Sequence, residues 1–347
     1  MMGRFHKNPV AHGLRRWVAT GLMATGLMAA ALVLPAANAP AAVLLNDSFA
    51  DGSRAETALP TESAVYAGVS ASDGGSLTTT TGAVQNVMGT GSRKVWTYFT
   101  SDGSAPDGNQ PHNAVQALAV GDLLKASISF TPTGVTSAST SREFRFGAFH
   151  DPTDARVQVD ANSDAGGAAS PWGDATGYNV QIPLNATGSG NNPLQIGKRT
   201  SSANTGLISS GNSYTFAPSG GAVYSITSGT NYTLELQLSV VSAAQLDVTA
   251  RLLQGATLLS SHTVSDTTTA FGGTANIAGS FPAAAGLYAN FDQLFWRMST
   301  NAQASQVDIT NFFVEYTAGV PEPSSLALLG VAGAALLRRR RVARGLI

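Results

Sequence analysis

Two carboxylates roughly 5 to 9.5 Å apart suffice to hydrolyse a glycosidic bond, so acids are the first residues to weigh. Between residues 43 and 318 the chain holds five glutamates, Glu56, Glu62, Glu143, Glu235 and Glu315, and none is followed two residues later by an acid. Side chains at i and i+2 share a strand face, so no single strand carries a compact acid pair built on one of these glutamates. Convergence from separate strands stays open, which keeps a secreted glycan-active hydrolase or lyase as the alternative to a non-enzymatic reading. His112, His150 and His262 are the histidines beyond residue 41, and none has a His-x-His or His-x-x-x-His partner for a metal. His150-Asp151 has the types of a base and its orienting acid, but neighbours on a strand point to opposite faces; a solvated histidine at a loop edge is the stronger reading. There is no Gly-x-Ser-x-Gly elbow and no phosphate-binding glycine loop. No catalytic residue is assigned, and the chain is read as not an enzyme.

Two binding features remain. Asp160, Asn162 and Asp164, in Asp160-Ala161-Asn162-Ser163-Asp164-Ala165-Gly166-Gly167, place side-chain oxygens at alternate positions, as a Ca²⁺ loop does. The glycine falls one position late for an EF-hand loop and Pro171 stands where its bidentate glutamate belongs, so an acidic surface turn is the stronger reading. Asp47 and Asp51 form a weaker candidate of the same kind. No other cofactor is expected. A sugar ring needs an exposed aromatic face, and Trp172 in the turn-like Ser170-Pro171-Trp172-Gly173-Asp174, with Tyr178 nearby, is the candidate glycan contact. A loop plug is the competing reading for Trp172, whereas Trp96 and Trp296 lie in apolar runs and read as core.

The elements that must position these residues are strands. Leu124, Ala126, Ile128 and Phe130 alternate with polar residues, as do Tyr232 to Val240, Leu246 to Leu252, Phe144 and Phe146, and Val307, Ile309 and Phe313. Clusters such as Thr187-Gly188-Ser189-Gly190-Asn191-Asn192 and Ser209-Ser210-Gly211-Asn212 are turn chemistry. No body segment sustains helical periodicity. The expectation is all-β: a two-sheet antiparallel β-sandwich over residues 42–319.

Only 12% of the 347 residues are charged and none is cysteine, which excludes a disulfide scaffold and argues against a nucleic-acid partner. The formal net charge of -1 hides a sorted distribution. Residues 1–39 carry four bases and no acid, residues 321–347 five bases and one acid, and the stretch between them 11 bases and 20 acids. Arg15-Arg16, the apolar run Trp17 to Leu34 and the small residues Ala36 to Ala42 have the layout of a secretory signal peptide, 1–41, with cleavage after Ala39 or Ala41. At the other end, Val320-Pro321-Glu322-Pro323 precedes an apolar stretch, Leu326 to Leu337, and then Arg338, Arg339, Arg340 and Arg341. Twelve residues at helical rise cover about 18 Å, short of a bilayer's roughly 30 Å core, so the helix suits transient membrane association.

Residues 320–347 resemble the PEP-CTERM sorting signal of Gram-negative bacteria. That resemblance implies passage through the secretion translocon, processing near Pro-Glu-Pro by an exosortase-type membrane transpeptidase, and release to the cell surface or an extracellular polysaccharide matrix. It gives an address and leaves the body's function to the body. The body in turn is similar in pattern to concanavalin A-like jelly rolls. The resemblance rests on the opening Leu44-Leu45-Asn46-Asp47-Ser48-Phe49-Ala50-Asp51-Gly52, the middle Gly177-Tyr178-Asn179-Val180-Gln181-Ile182 and the closing Val307 to Val314. It implies a first strand that pairs near the last and a fold shared by lectins and glycan-active enzymes. The functional expectation is a non-enzymatic structural or glycan-associating surface protein, with an adhesin-like partner-binding module as a further alternative.

Overall fold

The computed structural model describes residues 40–319 apart from 56–57, 70–74, 90, 101–114, 137–140, 151–155, 161–171, 173–174, 187–193, 202–206, 209–212, 276–285 and 299–302. The Pro-Glu-Pro motif, the arginine cluster and the signal peptide up to residue 39 lie outside the described residues, as do the two turn clusters beginning at Thr187 and Ser209. Among the described residues there are strands and no helix. In chain order they are β1 (Ala42–Asp47), β2 (Val65–Val69), β3 (Ser76–Thr80), β4 (Ala83–Val87), β5 (Arg93–Tyr98), β6 (Gln116–Ala117), β7 (Leu123–Thr133), β8 (Phe144–His150), β9 (Thr176–Ile182) and β10 (Gln195–Arg199). They continue with β11 (Tyr214–Phe216), β12 (Tyr232–Ser242), β13 (Gln245–Gln254), β14 (Thr257–Thr267), β15 (Ala270–Phe271), β16 (Thr274–Ala275), β17 (Asn290–Phe291), β18 (Gln293–Met298) and β19 (Gln306–Thr317).

These strands form an all-β, antiparallel sandwich. A ten-stranded sheet runs β16-β15-β14-β13-β12-β7-β19-β4-β3, with β1 also paired to β19, and a seven-stranded sheet runs β11-β10-β9-β8-β18-β5-β2. The alternation seen in sequence decides which face is buried. Leu124, Ala126, Ile128 and Phe130 of β7 are fully buried, as are Leu234, Leu236 and Leu238 of β12 and Leu246, Val248, Ala250 and Leu252 of β13. Phe144, Phe146, Val180, Ile182, Leu294 and Trp296 answer them from the smaller sheet in one continuous core. Phe130 and Phe144 meet across the sandwich at 4.2 Å between ring centroids.

The first strand pairs with the last, Leu45 opposite Val314 and Asp47 opposite Phe312. Asp47 closes the following turn, accepting the Phe49 N–H at 2.8 Å and the Ser63 N–H at 3.3 Å. One detail of the sequence reading is corrected on β19. The register slips between Ile309 and Asn311, so the inward set is Val307, Ile309, Phe312 and Val314. An extra residue flips every later side chain, and Phe313 turns outward beneath the Lys125 ammonium, 5.2 Å from its ring centre.

A charged pair is enclosed between the sheets. Lys198 of β10 and Asp266 of β14 are both fully buried, with Nζ 3.0 Å from Oδ1 and 2.8 Å from Oδ2. The Tyr178 hydroxyl donates to Oδ2 at 2.5 Å, and Nζ donates to the Gly286 carbonyl at 2.8 Å and lies 4.8 Å from the Tyr288 ring centre. Burial pushes the Asp266 carboxyl up from its ordinary value, against the pull of the Lys198 and Tyr178 hydrogen bonds.

Candidate functional site

The seven-stranded sheet is covered on its outer face too. Cross-strand register lines up three rows of side chains there. Phe149, Gln293 and Tyr98 form the first; Gly147, Phe295, Trp96 and Tyr66 the second; Arg145, Arg297 and Lys94 the third. Phe295 and Trp96 stack at 5.8 Å, and Tyr66 stacks on Trp96 at 6.1 Å at the sheet edge. Segments between strands close over this floor. Trp172 sets its edge against Trp96 at 5.2 Å and Phe295 at 5.6 Å, while Leu207 and Ile208 complete a second apolar cluster. Polar contacts fasten the cover. The Trp96 Nε1–H donates to the Val157 carbonyl at 2.8 Å, the Val157 N–H donates to the Tyr98 hydroxyl at 2.8 Å, and Arg199 Nη1 donates to the carbonyls of Trp172 and Ala175.

This packing corrects the glycan-contact assignment. Trp172 is 2% exposed and Tyr178 is fully buried. The first ring plugs the second cluster, and the second lies between the sheets beside Asp266. Neither offers a stacking face to solvent. The aromatic ring left partly exposed at the end of the second row is Tyr66. It lines an open cleft of about 500 Å³ together with Arg54, Val65, Gln158, Val159 and Asp160.

The cleft sits on β2, the edge strand, where outward N–H and C=O groups have no neighbouring strand. A side-chain clasp takes that neighbour's place. Arg54 Nη1 donates to the Val65 carbonyl at 2.8 Å and to Asp160 Oδ1 at 2.7 Å, its Nη2 pairs with Asp160 Oδ2, and Asp160 Oδ1 accepts the Ala67 N–H at 2.9 Å. Burial raises the Asp160 carboxyl, yet the hydrogen bonds from Arg54 and Ala67 and the Arg54 charge outweigh it and hold the group below the usual carboxylate range. Asp160 is thereby a poor Ca²⁺ ligand, since a guanidinium occupies both oxygens. Asn162 and Asp164 lie outside the described residues. Among the described residues no three His, Asp or Glu side chains gather as a metal site.

The third row places three cations side by side, Lys94 opposite Arg297 and Arg297 opposite Arg145. Burial and the adjacent Arg297 lower the Lys94 ammonium to about 7. Arg145 is paired with Glu143 at 3.2 Å, and Arg297 donates to the Ile208 carbonyl at 2.6 Å and to the Ser92 hydroxyl at 3.0 Å. His150 is not a solvated loop residue either. Its Nδ1 lies 3.2 Å from Oδ2 of the buried Asp292, 142 positions along the chain, whereas Asp151 lies outside the described residues. Sequence reasoning missed Asp292, Tyr66 and the Arg54–Asp160 clasp. The period-two pattern of Val65-Tyr66-Ala67 separates Tyr66 from its neighbours, and nothing local marks what faces it.

Residues 319–341 match the PEP-CTERM protein-sorting motif. The chain is therefore an exported protein processed at its C-terminus for the cell surface, and exosortase-type processing is the fate that this motif specifies. No curated protein matches the sequence. Among solved structures, the chain is similar to peanut lectin with a bound 9mer peptide, at 13% identity over 74% of this chain and 98% of that one, with a TM-score of 0.35. It is similar to the VIP36 exoplasmic/lumenal domain in its Ca²⁺/Man2-bound form, at 10% identity, 75% and 84% coverage and a TM-score of 0.37. It also resembles the CBM2 module of the evolved Dit of Lactobacillus casei BL23 phage J-1, at 8% identity, 81% and 98% coverage and a TM-score of 0.36. At these values the likeness bears on neither ligand nor activity.

Proposed function

We propose that this exported protein is a non-enzymatic, glycan-associating component of the extracellular polysaccharide matrix, and that it holds sugar in the Tyr66 cleft. The observation that carries the reading is the cleft's composition. A partly exposed aromatic ring lines one cleft with Gln158 and the bidentate Arg54–Asp160 pair at a sheet edge. Ring stacking plus planar hydrogen-bonding groups is the chemistry a pyranose offers partners for. The non-enzymatic part draws support from the pairing of five of the described carboxylates, and among the acids left for a glycosidase to use are Asp47, Asp51 and Glu62, the last two close enough to repel the first. Glu143, Glu235, Glu315, Asp160 and Asp266 each face a cation. A glycosidase needs two acids facing one gap.

The test is a titration of the secreted protein with extracellular polysaccharide purified from the producing cells, alongside Tyr66→Ala and Gln158→Ala variants. Saturable binding that weakens at least tenfold in Tyr66→Ala and in Gln158→Ala, with both variants still folded, is the expected result. Absence of wild-type binding would overturn the glycan reading in favour of a partner-binding module. Release of soluble sugar would replace it with a hydrolase or lyase.

A further inference from the structure

The buried Lys198–Asp266 pair is a bidentate salt link that joins the two sheets. Nζ is nearly equidistant from the two carboxylate oxygens, 3.0 and 2.8 Å, which holds amine and carboxyl in one fixed pairing. Both side chains are fully buried, and rings surround them: Tyr178 and Tyr288 lie 5.6 Å apart, and Tyr178 and Phe271 6.2 Å apart. An ion pair in such surroundings loses its hydration, and burial raises the Asp266 carboxyl, which favours its neutral, protonated form. A desolvated amine is a nucleophile. The Tyr178 hydroxyl, 2.5 Å from Oδ2, is placed to hold charge developing on that oxygen, and the Tyr288 N–H donates to the phenol from behind at 3.2 Å. The Gly286 carbonyl, which accepts from Nζ, fixes the amine in place.

We propose that Lys198 and Asp266 condense spontaneously into an intramolecular amide that bolts β10 of the smaller sheet to β14 of the larger. Once the ammonium has passed one proton to the carboxylate, the Nζ lone pair attacks Cγ and a C–N bond forms. The tetrahedral carbon then expels one oxygen as water, which takes the acid's proton and one proton from nitrogen. No oxidant, cofactor or second enzyme is required. Held reactants supply the advantage that free amine and acid lack, because orientation replaces a bimolecular encounter. The chain has no cysteine, so a cross-link of this kind would be its covalent means of joining the two sheets.

Peptide mapping of the secreted protein by mass spectrometry tests this directly. The expected product is a branched peptide joining Lys198 to Asp266, lighter by one water than its two parts, with no tryptic cleavage after Lys198. Asp266→Asn should give the identical branched product by losing ammonia instead of water, and Lys198→Arg should give none. Cleavage after Lys198 to yield unbranched peptides from folded, aged wild-type protein would overturn the proposal.

Discussion

Lys94 shows a single residue working against stability. Its ammonium is nearly buried beside Arg297, and like charges opposite one another on neighbouring strands repel. Between pH 7 and 10.5 the unfolded chain binds a proton there that the folded chain has shed, so stability rises with pH across that window. Below it both states are protonated and the full burial penalty applies. Lys94→Met is expected to raise the denaturation midpoint below pH 7, by on the order of a few kcal/mol, with the gain fading as pH approaches 10.5. Urea titrations at both ends of the window measure it. Residue type alone was a poor guide at this scale. Trp172 and Tyr178 have the ring chemistry of a sugar contact, yet Tyr178 alternates in phase with Val180 and Ile182, which places it inward, and Trp172 is drawn under by ring neighbours from distant strands. His150 likewise takes its acid from a segment that no local spacing indicates.

Elements explain which parts of the fold could be read. In the larger sheet, β7, β12 and β13 keep one polar face, so their alternation is plain in the sequence. The smaller sheet is packed on both sides, and β5 and β18 are buried along almost their whole length. Their sequences, Arg93-Lys94-Val95-Trp96-Thr97-Tyr98 and Gln293-Leu294-Phe295-Trp296-Arg297-Met298, therefore lack a clean period. The second apolar cluster that explains this depends on connecting segments, whose docking no strand pattern encodes. Trp96→Ala removes the ring shared by Tyr66, Phe295 and Trp172 and is expected to cost about 3–5 kcal/mol, read from the shift in unfolding midpoint. The clasp on β2 predicts a local effect. Asp160→Asn should speed hydrogen exchange at the Ala67 amide several-fold while changing global stability by less than about 1 kcal/mol, because Asp160 is exposed. The same variant should abolish the low-pH loosening of this edge. The Asp160 carboxyl sits below its ordinary value, so the stability it confers is present above the unfolded value and is lost as pH falls through the folded one.

For the whole molecule, charge distribution was the most legible feature, since a basic start, an acidic body and a basic end describe a route before they describe a shape. The sorting motif makes that route testable. Replacing Pro321-Glu322-Pro323 with alanines should leave an uncut chain in the membrane fraction on immunoblots, and normal release of that variant would refute processing at this site. The architecture adds a matter of timing. The final strand, Gln306–Thr317, is not an edge piece; it lies between β7 on one side and β4 and β1 on the other. A chain that emerges amino end first cannot seat its opening strand until everything but the sorting tail has followed. Any product interrupted before Gln306 keeps three strands with raw edges and is open to proteolysis. Closure of the larger sheet is thereby tied to the arrival of residues 306–317, which lie just ahead of the sorting motif at 319–341.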